Sequence, residues 1–285
     1  VPTLVAETIP AMRAALADHR SAARSIALVP TMGALHEGHL ALVARAKELA
    51  DVVVVSIFVN PLQFAPTEDL DRYPRTLDED LQKLNDLGVD ALFLPGVDEM
   101  YPDGQKQTHV VAGPIGSRYE GRSRVGHFDG VLTVVAKLIN IASPDTIVFG
   151  QKDAQQVFLV RRMVKDLDFD LTVAVVPTVR ESDGLALSSR NRFLGHEEKR
   201  AALALSIALE AAESSGDRGV DAVLAAGQSA LAAPMVELDY FTVVDPETFL
   251  PLDDDYQGKA TVLVAARVGS TRLIDNANIF VSRRA

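Results

Sequence analysis

Apolar runs and helical stripes alternate along the first two thirds of the chain. Ile9, Met12, Leu16 and His19 recur at helical spacing and predict a helix over 8–23. The apolar run 26–29 reads as a buried strand that stops at Pro30. After a glycine-bearing turn, Leu42, Val43, Ala46, Leu49 and Ala50 make the apolar stripe of a second helix. The run 52–59 is continuous and β-branched, so it reads as a central strand buried on both faces. Strand, helix and strand joined by short links form a right-handed βαβ unit. Thr76-Leu77-Asp78-Glu79 has the form of a capping box opening a helix with Leu77, Leu81 and Leu84 inward. The acids from Asp78 to Asp80 read as charge bias at that helix start. A short strand is expected at 91–94, and another at 108–111 inside a stretch rich in Gly, Pro and charge. Then come a helix over 129–142, a strand over 146–149, a helix over 155–166 and a strand over 171–176, ended by Pro177. This alternation predicts a doubly wound α/β fold with a parallel sheet.

Around residue 180 the texture changes. Two Ala-rich helices, 197–214 and 220–232, flank the linker Ser-Ser-Gly-Asp-Arg-Gly, and strand-like runs follow at 236–244, 260–266 and 273–274. Helices followed by strands fit a smaller α+β domain. The expected division is therefore 1–179 and 180–285. No internal repeat or low-complexity tract is visible.

Composition narrows the function classes. The 285 residues carry 39 acids against 28 bases, a net charge of −11, which argues against nucleic-acid or anionic-membrane partners. Any anionic substrate must then be met by a local cluster of cations. The absence of cysteine excludes disulfides, thiolate metal sites and cysteine nucleophiles. No apolar stretch reaches the length of a membrane span, no charged-then-apolar leader opens the chain, and a cytoplasmic protein is the expectation.

Candidate chemistry gathers at strand ends. Between the first strand and its helix lies Pro30-Thr31-Met32-Gly33-Ala34-Leu35-His36-Glu37-Gly38-His39. The start of a helix offers unpaired N–H groups and a positive dipole end to an anion. Two histidines three apart share one face of the turn, and Gly38 lets a ligand approach the backbone. Chance and a metal pair compete with the nucleotide reading, although helical metal pairs more often show four-residue spacing, as in H-E-x-x-H. Asn60-Pro61-Leu62-Gln63-Phe64 leaves the carboxyl end of the central strand, where open parallel sheets bind ligands. The long polar loop from there to Arg75 reads as a lid. Gly150-Gln151-Lys152-Asp153 is a second strand-to-helix turn.

These blocks together resemble one family. The H-x-G-H turn is similar to that of the nucleotidylyltransferases and class I aminoacyl-tRNA synthetases. With Phe58-Val59-Asn60-Pro61-Leu62-Gln63-Phe64, Gly150-Gln151-Lys152-Asp153-Ala154-Gln155-Gln156 and Asp183-Gly184-Leu185-Ala186-Leu187-Ser188-Ser189-Arg190-Asn191, it resembles the pantoate–beta-alanine ligase family specifically. The resemblance runs from about Ile26 to Arg192 and implies a Rossmann-like fold of the nucleotidylyltransferase type, with the smaller C-terminal domain closing over the nucleotide. It implies ATP-dependent joining of pantoate to beta-alanine through a pantoyl adenylate, with Mg2+ carried on the ATP phosphates, no metal ligand in the protein itself, and a homodimer. Catalytic roles fall on His36, His39, Lys152 and Arg190. ATP contacts fall on Met32, Gly33, Ala34, Leu35, Glu37, Gly38, Gly150, Gln151, Asp153, Val179, Leu187, Ser188 and Ser189 as well. Pantoate falls to Gln63, Gln156 and Met32, and beta-alanine to Gln63. Asn60, Tyr73, Arg124 and His127 resemble pocket or lid residues. The family usually carries glutamate where this chain has Gln151.

The residue types suit that chemistry. A carboxylate is ionised at neutral pH, so adenylation needs in-line positioning and donors for phosphate charge rather than a strong base. Lys152 is a point charge and Arg190 a forked one. Amides such as Gln63 both donate and accept, as a hydroxy acid requires. A plain nucleotidylyltransferase would need further cations for a second phosphate. An inactive nucleotide-binding module would be expected to lack some of the phosphate-directed residues, and all are present. A tRNA ligase would need a basic anticodon-binding domain. No Walker A or G-x-G-x-x-G pattern occurs.

Overall fold

The computed structural model describes residues 2–65, 70, 73–104 and 108–283. Its elements in order are β1 (Leu4–Ala6), α1 (Ile9–Ser21), β2 (Ile26–Thr31), α2 (Glu37–Leu49), β3 (Val52–Ile57), α3 (Leu77–Asp86) and β4 (Ala91–Phe93). They continue with α4 (Val97–Met100), α5 (Glu120–Ser123), α6 (His127–Ala142), β5 (Thr146–Gly150), α7 (Ala154–Asp166) and β6 (Thr172–Val176). The last five are α8 (His196–Ser214), α9 (Val220–Leu231), β7 (Val236–Val244), β8 (Gly258–Val268) and β9 (Thr271–Val281). The chain divides into two compact units. One runs to Gly150 and includes Leu159–Val176; the other comprises Gln151–Phe158 and the chain from Pro177 onward.

The first unit is built on a six-stranded parallel sheet in the order β1-β4-β3-β2-β5-β6. All six residues of β3 are buried, as a continuous Val-rich run predicts for a strand covered on both faces. Val29, Val53, Val55, Leu92 and Val148 pack with Leu42, Val43 and Ala46 of α2 and Leu84 of α3 in one cluster. The expectation that Pro30 ends its strand is wrong, because β2 continues to Thr31. The Ser25 and Thr31 carbonyls accept from Val52 and Phe58 on the β3 side, whereas the Ile26 carbonyl accepts from Asp145 on the β5 side. By alternation Pro30 faces the β5 flank, where pairing ends at Leu28. Its missing N–H therefore costs no ladder bond.

Three further expectations are corrected. No strand forms at 108–111: the Val110 N–H donates to Thr133 Oγ1 and the Ala112 N–H to Asp129 Oδ1, so side chains of α6 satisfy this backbone instead of a ladder. α3 begins where expected, but Thr76 makes no capping hydrogen bond, since its φ/ψ of −125°/47° is not the extended geometry that aims such a side chain. Leu77 is exposed; of the three leucines assigned to the inner face, Leu84 is the one fully buried.

The second unit carries the antiparallel sheet β7-β8-β9. Ala202, Leu205, Leu209, Val223 and Leu231 from α8 and α9 pack against Phe241, Val262, Val264 and Ile279. β9 is far longer than the expected 273–274, because Asp275, Asn276 and Asn278 interrupt its apolar pattern while still lying in the ladder. Among the described residues no helix is long and apolar enough to cross a membrane.

Candidate active site

The turn after β2 is held in a strained shape. Gly33 has φ 83° and Ala34 φ 50°. A Cβ on Gly33 would lie 3.1 Å from Ile57 Cγ2 and 3.2 Å from Asp80 Oδ2, in a left-handed conformation, so glycine is required there. Ala34 in that region costs about 1–2 kcal/mol and persists only where its surroundings fix it. The Gly33 N–H donates to Thr31 Oγ1, and the Ala34 and Leu35 N–H groups donate to the two carboxylate oxygens of Asp80, both at 2.8 Å. Asp80 is 1% exposed. The expectation of charge bias at the helix start holds for Asp78 and Glu79, which face solvent, whereas Asp80 turns inward. Lys83, one turn further on α3, donates to the Leu35 carbonyl at 2.7 Å.

His36 is the N-cap of α2. Its Nδ1 accepts the Gly38 N–H at 3.1 Å, and His39 Nδ1 accepts the His36 N–H at 3.4 Å, a capping box built from imidazoles. A backbone N–H can only donate, so in each neutral ring the proton sits on Nε2. The rings lie 4.1 Å apart between centroids. The shared face expected of the pair is thus present, with one difference. The helix-start N–H groups of Gly38 and His39 are not left for an anion: the first bonds the His36 ring and the second the His36 carbonyl. Each imidazole keeps an Nε2–H donor on the side away from its cap bond. Glu37 is exposed, and Met32, Ala34 and Gly38 are half-buried around the turn.

Gln63, on a 3-10 turn after β3 (Pro61–Gln63), reaches this turn: its Nε2 donates to Met32 Sδ at 3.2 Å. The amide's orientation follows from its neighbours. The Leu62 N–H and the Tyr101 hydroxyl both donate to Asn60 Oδ1, so Asn60 Nδ2 points the other way, to the Gly130 carbonyl and to Gln63 Oε1. Gln63 therefore turns Nε2 toward Met32. Burial pushes the Tyr101 phenol well above its usual pKa, so it remains a donor. The Gln63 carbonyl accepts from His127 Nδ1 at 2.8 Å, and Arg124 donates to His127 Nε2 at 3.0 Å, which fixes a neutral His127 with its proton on Nδ1. Arg124 also lies 3.6 Å from the Glu120 carboxylate. Tyr73 is buried, edge-on to Phe64. Most of the loop read as a lid, at 66–69 and 71–72, lies outside the described residues.

The remaining candidates belong to the second unit, save Gly150, the last residue of β5. Asn276, buried in β9, donates through Nδ2 to the carbonyls of both Gln151 and Lys152 at 2.8 Å. Gln151 Nε2 in turn donates to Asn276 Oδ1 at 3.2 Å, a bond that a glutamate in its place could not make. Asp275 accepts a forked pair from Arg180 at 2.6 and 3.0 Å, and Arg180 also donates to the Gly184 carbonyl. The Asp153 carbonyl accepts the Val157 N–H at the start of α7, whose first turn carries Gln156. The Leu187 N–H bonds the Val179 carbonyl, which joins two of the candidate nucleotide contacts. Ser188 Oγ accepts the Arg190 N–H as cap of the 3-10 turn Ser189–Phe193, and Asn191 Nδ2 bonds Glu181 and the Ala186 carbonyl. Ser188, Ser189, Arg190, Lys152 and Asp153 are all half-buried. Among the described residues no three His, Cys, Asp or Glu side chains cluster as a metal site.

Asp80, Lys83, Tyr101, Asn276, Asp275 and Arg180 were not foreseen. The first four act on a backbone or amide group of a residue that was, whereas Asp275 and Arg180 bond each other and the Gly184 carbonyl.

A parallel α/β sheet that places two helix-capping imidazoles at the turn from β2 into α2 defines a Rossmann-like protein of the H-x-G-H class. The pantoate-beta-alanine ligase family model matches residues 4–278. A pantothenate synthetase of Leifsonia xyli subsp. xyli is 57% identical over 272 residues, covering 94% of each chain. One from Thermobifida fusca is 53% identical, covering 97% of this chain and 94% of its own. The crystal structure of the Thermus thermophilus pantothenate synthetase superposes with a TM-score of 0.91 at 49% identity, covering 96% of this chain and 99% of that one. The Francisella tularensis pantoate-beta-alanine ligase, solved with beta-gamma ATP and beta-alanine, gives a TM-score of 0.78 at 35% identity over 96% of this chain and 97% of its own. The chain belongs to the pantoate-beta-alanine ligase family and is an enzyme of that class.

Proposed function

We propose that the enzyme condenses pantoate with beta-alanine in two steps at the expense of ATP. A pantoate carboxylate oxygen attacks the α-phosphorus of ATP, forming the acyl phosphate bond as pyrophosphate leaves. The beta-alanine amine then attacks the acyl carbon, forming the amide, losing a proton and expelling AMP. Magnesium enters with ATP as part of the substrate and offsets the charge of the triphosphate. In this reading Gln63 and Gln156 bind pantoate beside Met32, and Gln63 also meets beta-alanine. Val179 and Leu187 border the adenine. His36 and His39 donate Nε2–H groups to the phosphates, and Lys152, Arg190, Ser188 and Ser189 complement the charge that builds on them in the transition state.

One observation carries the reading: within the first unit, the capped histidine pair and the Gln63 amide converge on the same Met32–His36 turn. A phosphate-directed donor pair and a polar group suited to a hydroxy acid are what adenylation of a small carboxylate requires. A Francisella tularensis relative solved with beta-gamma ATP and beta-alanine supports it. From the family resemblance we also infer a homodimer, a cytoplasmic location and a place in pantothenate synthesis.

The test is product identity. With ATP, magnesium, pantoate and beta-alanine, the protein should release AMP and pantothenate in equal amounts, and neither when one acid is omitted. Release of ADP and phosphate instead would point to an acyl phosphate and reject the adenylate.

A further inference from the structure

We propose that Asp80 is a positioning residue for the adenylation step, acting through the backbone of the turn that carries His36. The inference rests on the function just proposed for the histidines. Residue 35, immediately before His36, has both of its backbone groups held by α3: its N–H by Asp80 Oδ1 and its carbonyl by Lys83 Nζ. The other carboxylate oxygen holds the N–H of Ala34, which stands in the left-handed region and would not keep that shape without a partner. The carboxylate is buried, so water cannot take over either bond. Asp80 thus fixes where the chain enters α2, and with it the His36 carbonyl, N–H and ring that form the cap.

Charge and acceptor count matter here, rather than bulk. In Asp80→Asn the side chain keeps its size but has one acceptor oxygen and turns an NH2 toward the second N–H. The turn must then give way at Ala34 or Leu35, and the His36 cap with it.

Two readouts test this. Histidine ring 15N spectra of the wild type should show a pyridine-like, unprotonated Nδ1 for His36. Asp80→Asn should move that signal toward the tautomer average. In pantoate-dependent exchange of pyrophosphate into ATP, Asp80→Asn should lower kcat by roughly 10- to 100-fold and change the KM of pantoate by less than about threefold. In a His36→Asn background the same substitution should cost less than about threefold, since it acts through that ring. Lys83→Met, at a half-exposed position, should shift kcat in the same direction by less. An unchanged His36 spectrum in Asp80→Asn, or a kcat loss that is fully additive with His36→Asn, overturns the assignment. A wild type without exchange rejects the proposed chemistry and leaves the spectra to decide on Asp80.

Discussion

Gln63 owes its orientation to three groups that need not touch a substrate. The Leu62 N–H and the Tyr101 hydroxyl turn Asn60, and Asn60 turns Gln63. Tyr101→Phe removes one donor from a buried acceptor, which costs about 1 kcal/mol. A roughly fivefold rise in the KM of pantoate is expected, with kcat little changed, and steady-state kinetics measure both. Asn276→Asp is more severe, because it replaces two donors to the Gln151 and Lys152 carbonyls by a carboxylate facing them. The penalty of leaving such buried groups unsatisfied is about 1–3 kcal/mol. A lower Tm in calorimetry and a loss of kcat as Lys152 shifts are the expected result. On the proposed chemistry, Lys152→Ala and His39→Ala each remove one donor from the developing charge. Each should slow turnover by roughly 100- to 1000-fold, equivalent to ~2.7–4 kcal/mol. The histidines, Gln63 and Lys152 stand out as candidates in the sequence because they sit in dense motifs at strand ends. Asp80 and Asn276 could not: a single polar residue in an amphipathic helix or strand has the same pattern whether it faces water or a buried amide.

The contact between α6 and the Gln63 turn is set by one missing side chain. A Cβ on Gly130 would lie 2.3 Å from the Leu62 carbonyl oxygen and 2.7 Å from the Gln63 nitrogen. Gly130→Ala must push the turn off the helix, at the ~1–3 kcal/mol typical of overpacking. It should lower Tm by several degrees and raise the KM of pantoate; normal values of both would show that the turn is not held by this contact. The same elements show how far pattern reading reaches. Apolar pattern located α2, β3 and α7 to within a few residues, because the two helices bury a regular face and β3 is buried throughout. It failed at β9, where Asp275 and Asn276 break the alternation while serving Arg180 and the Lys152 turn. It failed again at 108–111, where α6 side chains take the backbone bonds a strand would have made. The edge strand β1 was missed because three residues carry too little pattern to register.

At the scale of the molecule, a chain of net charge −11 must bind anionic substrates through a few placed donors and cations rather than through its overall field. Candidate donors occur in both compact units: the capped histidines in the first, Lys152 and the Ser188–Arg190 segment in the second. The homodimer inferred from the family predicts about twice the 30.6 kDa chain mass in sedimentation equilibrium. A monomer at micromolar concentration would remove that inference and leave the chemistry standing. The chemistry itself is tested most directly by isotope exchange. The proposed reversible adenylate, formed before the amine arrives, predicts that labelled pyrophosphate enters ATP with magnesium and pantoate present and beta-alanine absent. Exchange that appears only when beta-alanine is added would contradict a separate adenylation step.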